Sequence, residues 1–221
     1  MGLNVIVMGA PGAGKGTQAA RFAAVRNLPK VSTGDILRDG VKAGDPVAFA
    51  AKLRMDAGEL VDDATMIQII RDRLGRPDTG RGFVLDGFPR TVGQAQALDE
   101  LVVERNNGPL IVVDIVVPED ELVRRLAGRR ICERCGTNAP QAAAATALCE
   151  QCGARLVQRA DDNTAVVVER LSVYRRSTEP VVEFYRSRAA FCVVNGAQSQ
   201  EHVARELDEV VDEAFAASSR S

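Results

Sequence analysis

Gly9-Ala10-Pro11-Gly12-Ala13-Gly14-Lys15-Gly16-Thr17 follows directly on the apolar stretch Leu3–Met8. The order is a buried strand, then glycines, then a lysine and a hydroxyl, then a helix-compatible segment. It describes a phosphate-binding loop. Successive backbone N–H groups can turn inward around an anion only where side chains do not block them, so such a loop needs glycine. The segment that follows predicts a helix over about residues 17–25, whose positive N-terminus aims at the same place. Lys15 adds a mobile point charge for the outer phosphates. Thr17 offers a hydroxyl to a bound Mg²⁺ or to a phosphate oxygen. The common pattern puts Ser or Thr immediately after the lysine, whereas Gly16 intervenes here. A flexible glycine linker would share the glycines but not the register of strand, lysine and helix.

Outward from the loop, short apolar runs alternate with helical patterns. Strands are predicted at Leu3–Met8, Lys30–Ser32, Gly82–Asp86, Leu110–Val116 and Phe191–Asn195. They are mostly β-branched and continuous, as expected of strands covered on both faces. Helical segments between them supply the crossovers, giving an α/β fold with a five-stranded parallel sheet. Residues 202–217 place Val203, Leu207, Val210, Val211 and Phe215 near helical spacing, an amphipathic closing helix. Two segments break the alternation. Residues 33–61 read as short helices broken at Gly44-Asp45-Pro46 and Gly58, and residues 131–162 carry glycines, four cysteines and an alanine run over 142–145. Both read as insertions at the ends of sheet elements, where ligands bind in open α/β sheets.

The composition is that of a globular chain of 221 residues, 46% hydrophobic and 26% charged, with net charge −2. That balance argues against a nucleic-acid tail or a polybasic membrane anchor. No apolar run approaches the roughly 18 residues that span a bilayer. The stretch before the loop has neither a basic region nor a cleavage site, which predicts a cytosolic chain. Only Lys15, Lys30, Lys42 and Lys52 are lysines among the 28 basic residues. Base-composition bias accounts for much of the arginine excess, but not for where particular arginines fall.

Cys132-Glu133-Arg134-Cys135 and Cys149-Glu150-Gln151-Cys152 form two knuckles with 13 residues between them, each followed by a glycine, Gly136 and Gly153. Four thiolates around one ion make a closed structural zinc site. Iron fits the same geometry. Two disulfides are the alternative, which a cytosolic chain disfavours. Cys192 lies in an apolar strand and reads as core packing. With His202 as the sole histidine, at a helix start, no histidine-based acid–base mechanism is expected.

Gly82–Asp86 ends on an acid that can hold Mg²⁺ through its water shell, or cap a turn. Arg90 then emerges on the loop side where phosphates bind. Arg125 and Arg129 are spaced i, i+4 on the helix that enters the cysteine segment and are expected on one face. Arg159 leaves that segment, and Arg170 is expected at the beginning of the next helical stretch. A solvated arginine face is the plain reading of any one of these; four flanking one insertion suggest a site.

Together these residues resemble the adenylate kinases, in the long form whose lid carries a zinc site. The resemblance rests on Gly9–Thr17, on Ser32-Thr33-Gly34-Asp35 with Arg38, on Asp86-Gly87-Phe88-Pro89-Arg90 with Gln94, and on Gly128-Arg129-Arg130. The cysteine pairs, and Arg159-Ala160-Asp161-Asp162 with Arg170, complete it in family order over residues 1–196. It implies a P-loop kinase core (1–31, 62–128 and 163–221), a helical AMP-binding insertion (32–61) and a zinc-ribbon-like lid (129–162). It implies reversible phosphoryl transfer, Mg·ATP + AMP giving two ADP, for adenine nucleotide homeostasis in a cytoplasmic monomer. Neither nucleic acid nor membrane is an expected partner.

The resemblance also implies the site. Gly12, Ala13, Gly14, Lys15, Gly16 and Thr17 hold the ATP phosphates, Arg125 stacks on the ATP base, and Asn138, Ala139 and Gln198 flank it. Thr33, Arg38, Glu59, Leu60, Val61, Gly87, Phe88, Pro89, Arg90 and Gln94 hold AMP, with Arg38 and Arg90 on its phosphate and Gln94 on its adenine. Lys15, Arg38, Arg90, Arg129, Arg159 and Arg170 form the catalytic cage, with Arg129 also on ATP and Arg159 and Arg170 also toward AMP. Asp86 reaches Mg²⁺ through water, and Cys132, Cys135, Cys149 and Cys152 hold zinc. The chain departs from the family in a shorter, alanine-rich lid, in Asn138-Ala139 where a tyrosine flanks the ATP base, and in Asn195 and Gln198 where aspartate and lysine are expected. Two rivals stand beside it. One is a nucleoside monophosphate kinase for UMP or CMP. The other is a nucleotide switch or nucleic-acid module with a zinc ribbon, which needs stacking aromatics that this chain, at 4% aromatic residues, scarcely has.

Overall fold

The computed structural model describes residues 2–139, 147–158 and 162–218. The chain opens with β1 (Leu3–Met8), α1 (Lys15–Arg26) and β2 (Lys30–Ser32). Three helices follow, α2 (Thr33–Lys42), α3 (Pro46–Ala57) and α4 (Asp63–Leu74), before β3 (Gly82–Asp86), α5 (Val92–Arg105), β4 (Leu110–Val116) and α6 (Glu119–Ala127). A small hairpin of β5 (Arg130–Cys132) and β6 (Leu156–Gln158) precedes α7 (Thr164–Val173). A π-helical turn, Tyr174–Thr178, joins α7 to α8 (Glu179–Arg186), and β7 (Phe191–Asn195) and α9 (Gln200–Ser218) complete the chain.

The five strands predicted from the apolar runs form one parallel sheet in the order β2-β3-β1-β4-β7. Side chains alternate across the sheet, so its continuous apolar strands feed two cores. Ile6, Met8, Phe83, Leu85 and Val112 pack on one face against Ile70 and Leu74 of α4, Leu98 of α5 and Tyr185 of α8. Val5, Val7, Val84, Ile111 and Val113 pack on the other against Phe22 of α1, Leu126 of α6 and Leu207 and Val211 of α9. Both faces are thus closed, which leaves the carboxyl ends of the strands as the open rim.

From β1 the chain crosses to β2 on one side of the sheet, and β4 returns on the other side of β1. The strand order switches there, and a crevice opens above such a switch. Helices α2 and α3 stand at this rim, crossing so closely at Gly40 that a Cβ there would lie 2.7 Å from the Ala48 Cβ. The hairpin β5–β6 stands at the same rim with its own small cluster of Cys132, Cys149, Ala154 and Leu156.

Two local readings are corrected. Helix α6 stops at Ala127, because Gly128 ends it in a turn where the Arg129 N–H donates to the Leu126 carbonyl. Arg129 therefore lies beyond the helix and does not share a face with Arg125. Asn163 caps α7 through its side chain, accepting from the Val166 N–H, so Arg170 falls in the last turn of that helix rather than at its beginning.

Candidate active site and metal centre

Helices α2, α3, α4, α5 and α7 each begin under a side-chain cap, from Ser32, Asp45, Asp62, Thr91 and Asn163. Helix α1 begins behind Gly14 with no side-chain cap and no acid in its first turn. The Thr17 and Gln18 N–H groups turn back to the Gly14 carbonyl, which leaves those of Lys15 and Gly16 for an anion to satisfy. Lys15 is drawn back under the loop, donating from Nζ to the Ala10 carbonyl at 2.8 Å. Burial lowers its pKa to about 7; Asp86 pushes it up again, and Arg90, Arg170 and Arg129 push it down. A lysine this short of counter-charge is poised to take up a polyanion.

Asp86 ends β3 opposite this loop, 3.7 Å from Lys30 Nζ. A Cβ at Gly16 would come within 3.1 Å of Asp86 Oδ2. The departure from the usual Lys-Ser/Thr order thus lets the loop backbone lie close to the carboxylate, and the hydroxyl is carried by exposed Thr17 one residue on. Asp86, partly exposed at the end of β3 and electrostatically coupled to Lys15, is the kind of carboxylate that holds a hydrated Mg²⁺.

Beyond Asp86 the chain is tied down in detail. The Gly87 carbonyl accepts from Thr33 Oγ1 at 3.0 Å and from Arg90 Nε at 2.8 Å. The Arg90 carbonyl accepts from Thr178 Oγ1 at 3.0 Å, and its N–H donates to Gln94 Oε1 at 2.8 Å. Arg38 donates to Asp35 at 2.5 Å, and Lys30 approaches the other oxygen of that carboxylate at 3.2 Å. Burial works against ionisation of Asp35, but Arg38 and Lys30 hold its pKa below the usual carboxylate range. Lys15, Gly87, Phe88, Pro89, Arg90 and Arg170 line one cavity at the carboxyl end of the sheet, which Gly58 and Leu60 close from the α3–α4 connection. Val61 beside them is buried, whereas Glu59 is exposed, 3.9 Å from Arg54.

Arg129 and Arg170 meet on Asp162. Arg129 Nε donates to one oxygen at 2.7 Å and Arg170 Nη1 to the other at 2.8 Å, on a carboxylate with no exposed surface. Arg159, with Ala160 and Asp161, lies outside the described residues. Arg125 is set apart from this cluster, paired with Glu121 at 2.7 Å. Of the residues expected at the ATP base, Ala139 packs on the small cluster of the hairpin, while Asn138 is exposed beside it. Exposed Gln198 caps its own turn, donating to the Asn195 carbonyl and to Glu206.

The four cysteines come together with every Sγ within 4.8 Å of the others. Cys132 and Cys152 are 3.3 Å apart, and Cys135 and Cys149 are 3.6 Å apart. Zinc–sulfur bonds of about 2.3 Å at tetrahedral angles set such edges near 3.8 Å, so the cluster fits Zn²⁺. The two knuckles have the same build: Gly136 N–H donates to the Cys132 carbonyl and Gly153 N–H to that of Cys149. Both glycines sit at φ near +70°, with open space around the missing Cβ, so backbone conformation rather than room selects glycine. Thr137 holds the Cys135 thiol at about 6, favouring the thiolate that binds metal.

Sequence reasoning leaves Asp162 without a role and passes over Asp63, Thr91 and the turn Tyr174–Thr178. The signal for Asp162 was an acid between two arginines of the same motif set. Asp63 had none, since Asp62-Asp63 reads simply as a helix start.

The family model described as adenylate kinase matches residues 7–190. The chain is 46% identical over 215 residues to an adenylate kinase of Gloeobacter violaceus, covering 94% of this chain and 98% of that protein. It is 43% identical over 215 residues to an adenylate kinase of Geobacillus sp. strain WCH70, covering 95% and 98%. It is 42% identical over 215 residues to an adenylate kinase of Bacillus subtilis strain 168, again covering 95% and 98%.

Proposed function

The chain belongs to the adenylate kinase family, and we propose that it interconverts Mg·ATP and AMP with two ADP through the cage of Lys15, Arg38, Arg90, Arg129, Arg159 and Arg170. The observation that carries the reading is the convergence of Lys15, Arg90 and Arg170 on one cavity at the strand-order switch. ATP lies with its phosphates on residues 12–17 and its base between Arg125 and the residues near Asn138, Ala139 and Gln198. AMP lies across the cavity, its phosphate on Arg38 and Arg90 and its base on Thr33 and Gln94, against the backbone of 59–61 and 87–89.

Phosphoryl transfer between two polyanions builds charge on the equatorial oxygens of the moving group and asks for little bond-making by protein groups. The chain therefore works by alignment and neutralisation. Asp86 would hold Mg²⁺ through its water shell, and the ion would offset the charge of the ATP phosphates. Lys15 follows the outer phosphates. Arg38 and Arg90 fix the acceptor, and Arg129, Arg159 and Arg170 close over the transferring group. No histidine is needed, consistent with exposed His202 far along the chain in α9.

The work divides among three units, which are a core of 1–31, 62–128 and 163–221, an AMP-binding insertion of 32–61, and a lid of 129–162. Lid closure excludes water, the rival acceptor, and completes the cage only once both nucleotides are present. Zinc on the four cysteines gives the lid the rigidity that its few apolar residues cannot. Thiols kept reduced as metal ligands suit the cytoplasm, and among the described residues no helix is long and apolar enough to cross a membrane. We read the working form as a monomer.

An acceptor panel tests the function. Purified protein with Mg·ATP is offered AMP, CMP, UMP and GMP separately, and the diphosphates formed are quantified. ADP formed chiefly with AMP is the expected result. A preference for CMP or UMP would keep the cage and discard Thr33 and Gln94 as adenine selectors. ATP binding without transfer to any acceptor would overturn the enzyme reading.

A further inference from the structure

Gln94 stands 2% exposed at the first turn of α5, and both ends of its amide are engaged. Its Oε1 accepts from the Arg90 backbone N–H at 2.8 Å, and its Nε2 donates to Asp63 Oδ1 at 2.8 Å. The second oxygen of Asp63 accepts from Thr91 Oγ1 at 2.7 Å, and that same hydroxyl caps α5 by accepting from the Gln94 N–H at 3.2 Å. Gly93 borders the carboxylate, and a Cβ there would stand 3.2 Å from Asp63 Oδ2. Asp63 is the first residue of α4, three residues past Leu60 of the cavity wall.

An amide can be turned end for end with almost no change of shape, and only its partners decide which end is which. Here both partners decide the same way. A carboxylate accepts but cannot donate, so the NH₂ must face Asp63. A backbone N–H donates but cannot accept, so the oxygen must face Arg90. One Nε2 hydrogen and one Oε1 lone pair remain for a base. That pair matches adenine, which accepts at N1 and donates from its 6-amino group. A 6-oxopurine donates at N1 and accepts at O6, so it matches the opposite orientation.

We infer that Asp63 is a positioning residue that sets adenine selectivity, locking the Gln94 amide in the one orientation that reads AMP and rejects 6-oxopurine nucleotides. The inference rests on the reading above in which Gln94 meets the acceptor base. Asp63 itself touches neither nucleotide; it acts through Gln94 and Thr91.

The test is steady-state kinetics with AMP and IMP as alternative acceptors at saturating Mg·ATP, on the intact protein. Asp63→Asn and Asp63→Ser both suit a helix start and can either donate or accept, so either releases the amide. Each is expected to lower the AMP-over-IMP ratio of kcat/KM by about tenfold or more, the scale of one misdirected buried hydrogen bond. The loss should lie mainly in the KM for AMP, with the KM for ATP unchanged. Asp63→Glu keeps an acceptor-only group and should restore most of the ratio. Loss of thermal stability with the ratio intact in both releasing variants would reduce Asp63 to a structural role and overturn the proposal. Gln94→Ala separates the two layers. If it abolishes the preference while Asp63→Asn and Asp63→Ser keep it, the positioning role alone fails. If Gln94→Ala leaves both the AMP KM and the preference unchanged, the assignment of Gln94 to the base fails instead.

Discussion

Arg129 Nε donates to the Asp162 carboxylate across 2.7 Å, in a place where the acid has no exposed surface at all. Arg170 takes the other oxygen, so one carboxylate joins the residue just past α6 to the last turn of α7. The carboxylate thereby offsets the repulsion between two arginines of the proposed cage. Asp162→Asn keeps the shape but leaves two partly buried guanidiniums facing a neutral group. The expected cost is about 3 kcal/mol, the scale for breaking a buried pair from one side. Urea unfolding of the metal-loaded protein measures it. The kcat should fall at the same time, because the cage arginines lose their common anchor; unchanged stability and unchanged kcat would show the clamp to be incidental.

Lys15 gives a prediction with a definite sign. Burial sets its folded pKa near 7, below the ordinary 10.5. Between those values the unfolded chain holds the proton and the folded chain does not, so this group's contribution to stability rises with pH across the window. Below pH 7 both states are protonated and the desolvation penalty is in full force. A bound polyphosphate supplies the missing counter-charge and should restore the proton. At pH 8.5, where the terminal phosphate is already ionised, ATP binding should draw up close to one proton. Calorimetry in buffers of differing ionisation enthalpy reads this directly. In Lys15→Arg, whose side chain cannot deprotonate, the uptake should vanish.

The acceptor phosphate should depend on the fork of Arg90 rather than on charge alone. Arg90 is braced through Nε to Gly87 and through its backbone to Gln94 and Thr178. Arg90→Lys keeps the charge and loses the planar pair of donors. The KM for AMP should rise about tenfold or more, in line with one charge-assisted hydrogen bond lost, while the KM for ATP stays near its original value. Initial rates with each nucleotide varied in turn distinguish this from general loss of activity.

How much of this was legible in the sequence follows from the kind of contact involved. The five strands were readable because a parallel strand covered on both faces is written as an unbroken apolar run, as in Leu110–Val116. The loop Gly9–Thr17 was readable because its glycines and lysine are adjacent in the chain. The two cysteine knuckles were readable because each repeats the same local C-x-x-C-G spacing. Other relationships leave no such local mark. Asp63 finds Gln94, and Arg129 finds Asp162, across about thirty residues of intervening chain, and neither pair has a periodicity. The end of α6 was misread because i, i+4 spacing continues on paper through Gly128, while the backbone does not continue as a helix.

Removing the metal should melt the lid and spare the core. The buried cluster of the proposed lid consists of Cys132, Cys149, Ala154 and Leu156, and two of these belong to the four-cysteine group. Such a unit cannot offset its chain entropy without the ion. Chelator-treated protein should melt at a lower temperature and lose hydrogen-exchange protection in β5 and β6, with protection in β1, β3 and β4 retained. Readdition of Zn²⁺ should restore both. Unchanged melting and protection in metal-stripped protein would remove the structural role.

Gly16 poses the sharpest test of the magnesium side. Most phosphate loops carry a hydroxyl directly after the lysine, and Gly16→Ser would restore that common order. Here the added Cβ would stand 3.1 Å from Asp86 Oδ2, tighter than ordinary contact. The new hydroxyl would donate to the carboxylate and take up an oxygen that the proposed role of Asp86 leaves to the water shell of the ion. The fold should tolerate the change, since the neighbour is a side-chain oxygen at the open rim rather than packed backbone. Catalysis should not: the Mg²⁺ concentration giving half-maximal rate should rise, and kcat should fall by about tenfold, the effect of roughly 1.4 kcal/mol on the barrier. A thermal melt paired with a Mg²⁺ titration separates the two effects. Should Gly16→Ser run at the original rate with the original Mg²⁺ dependence, Asp86 does not serve the ion.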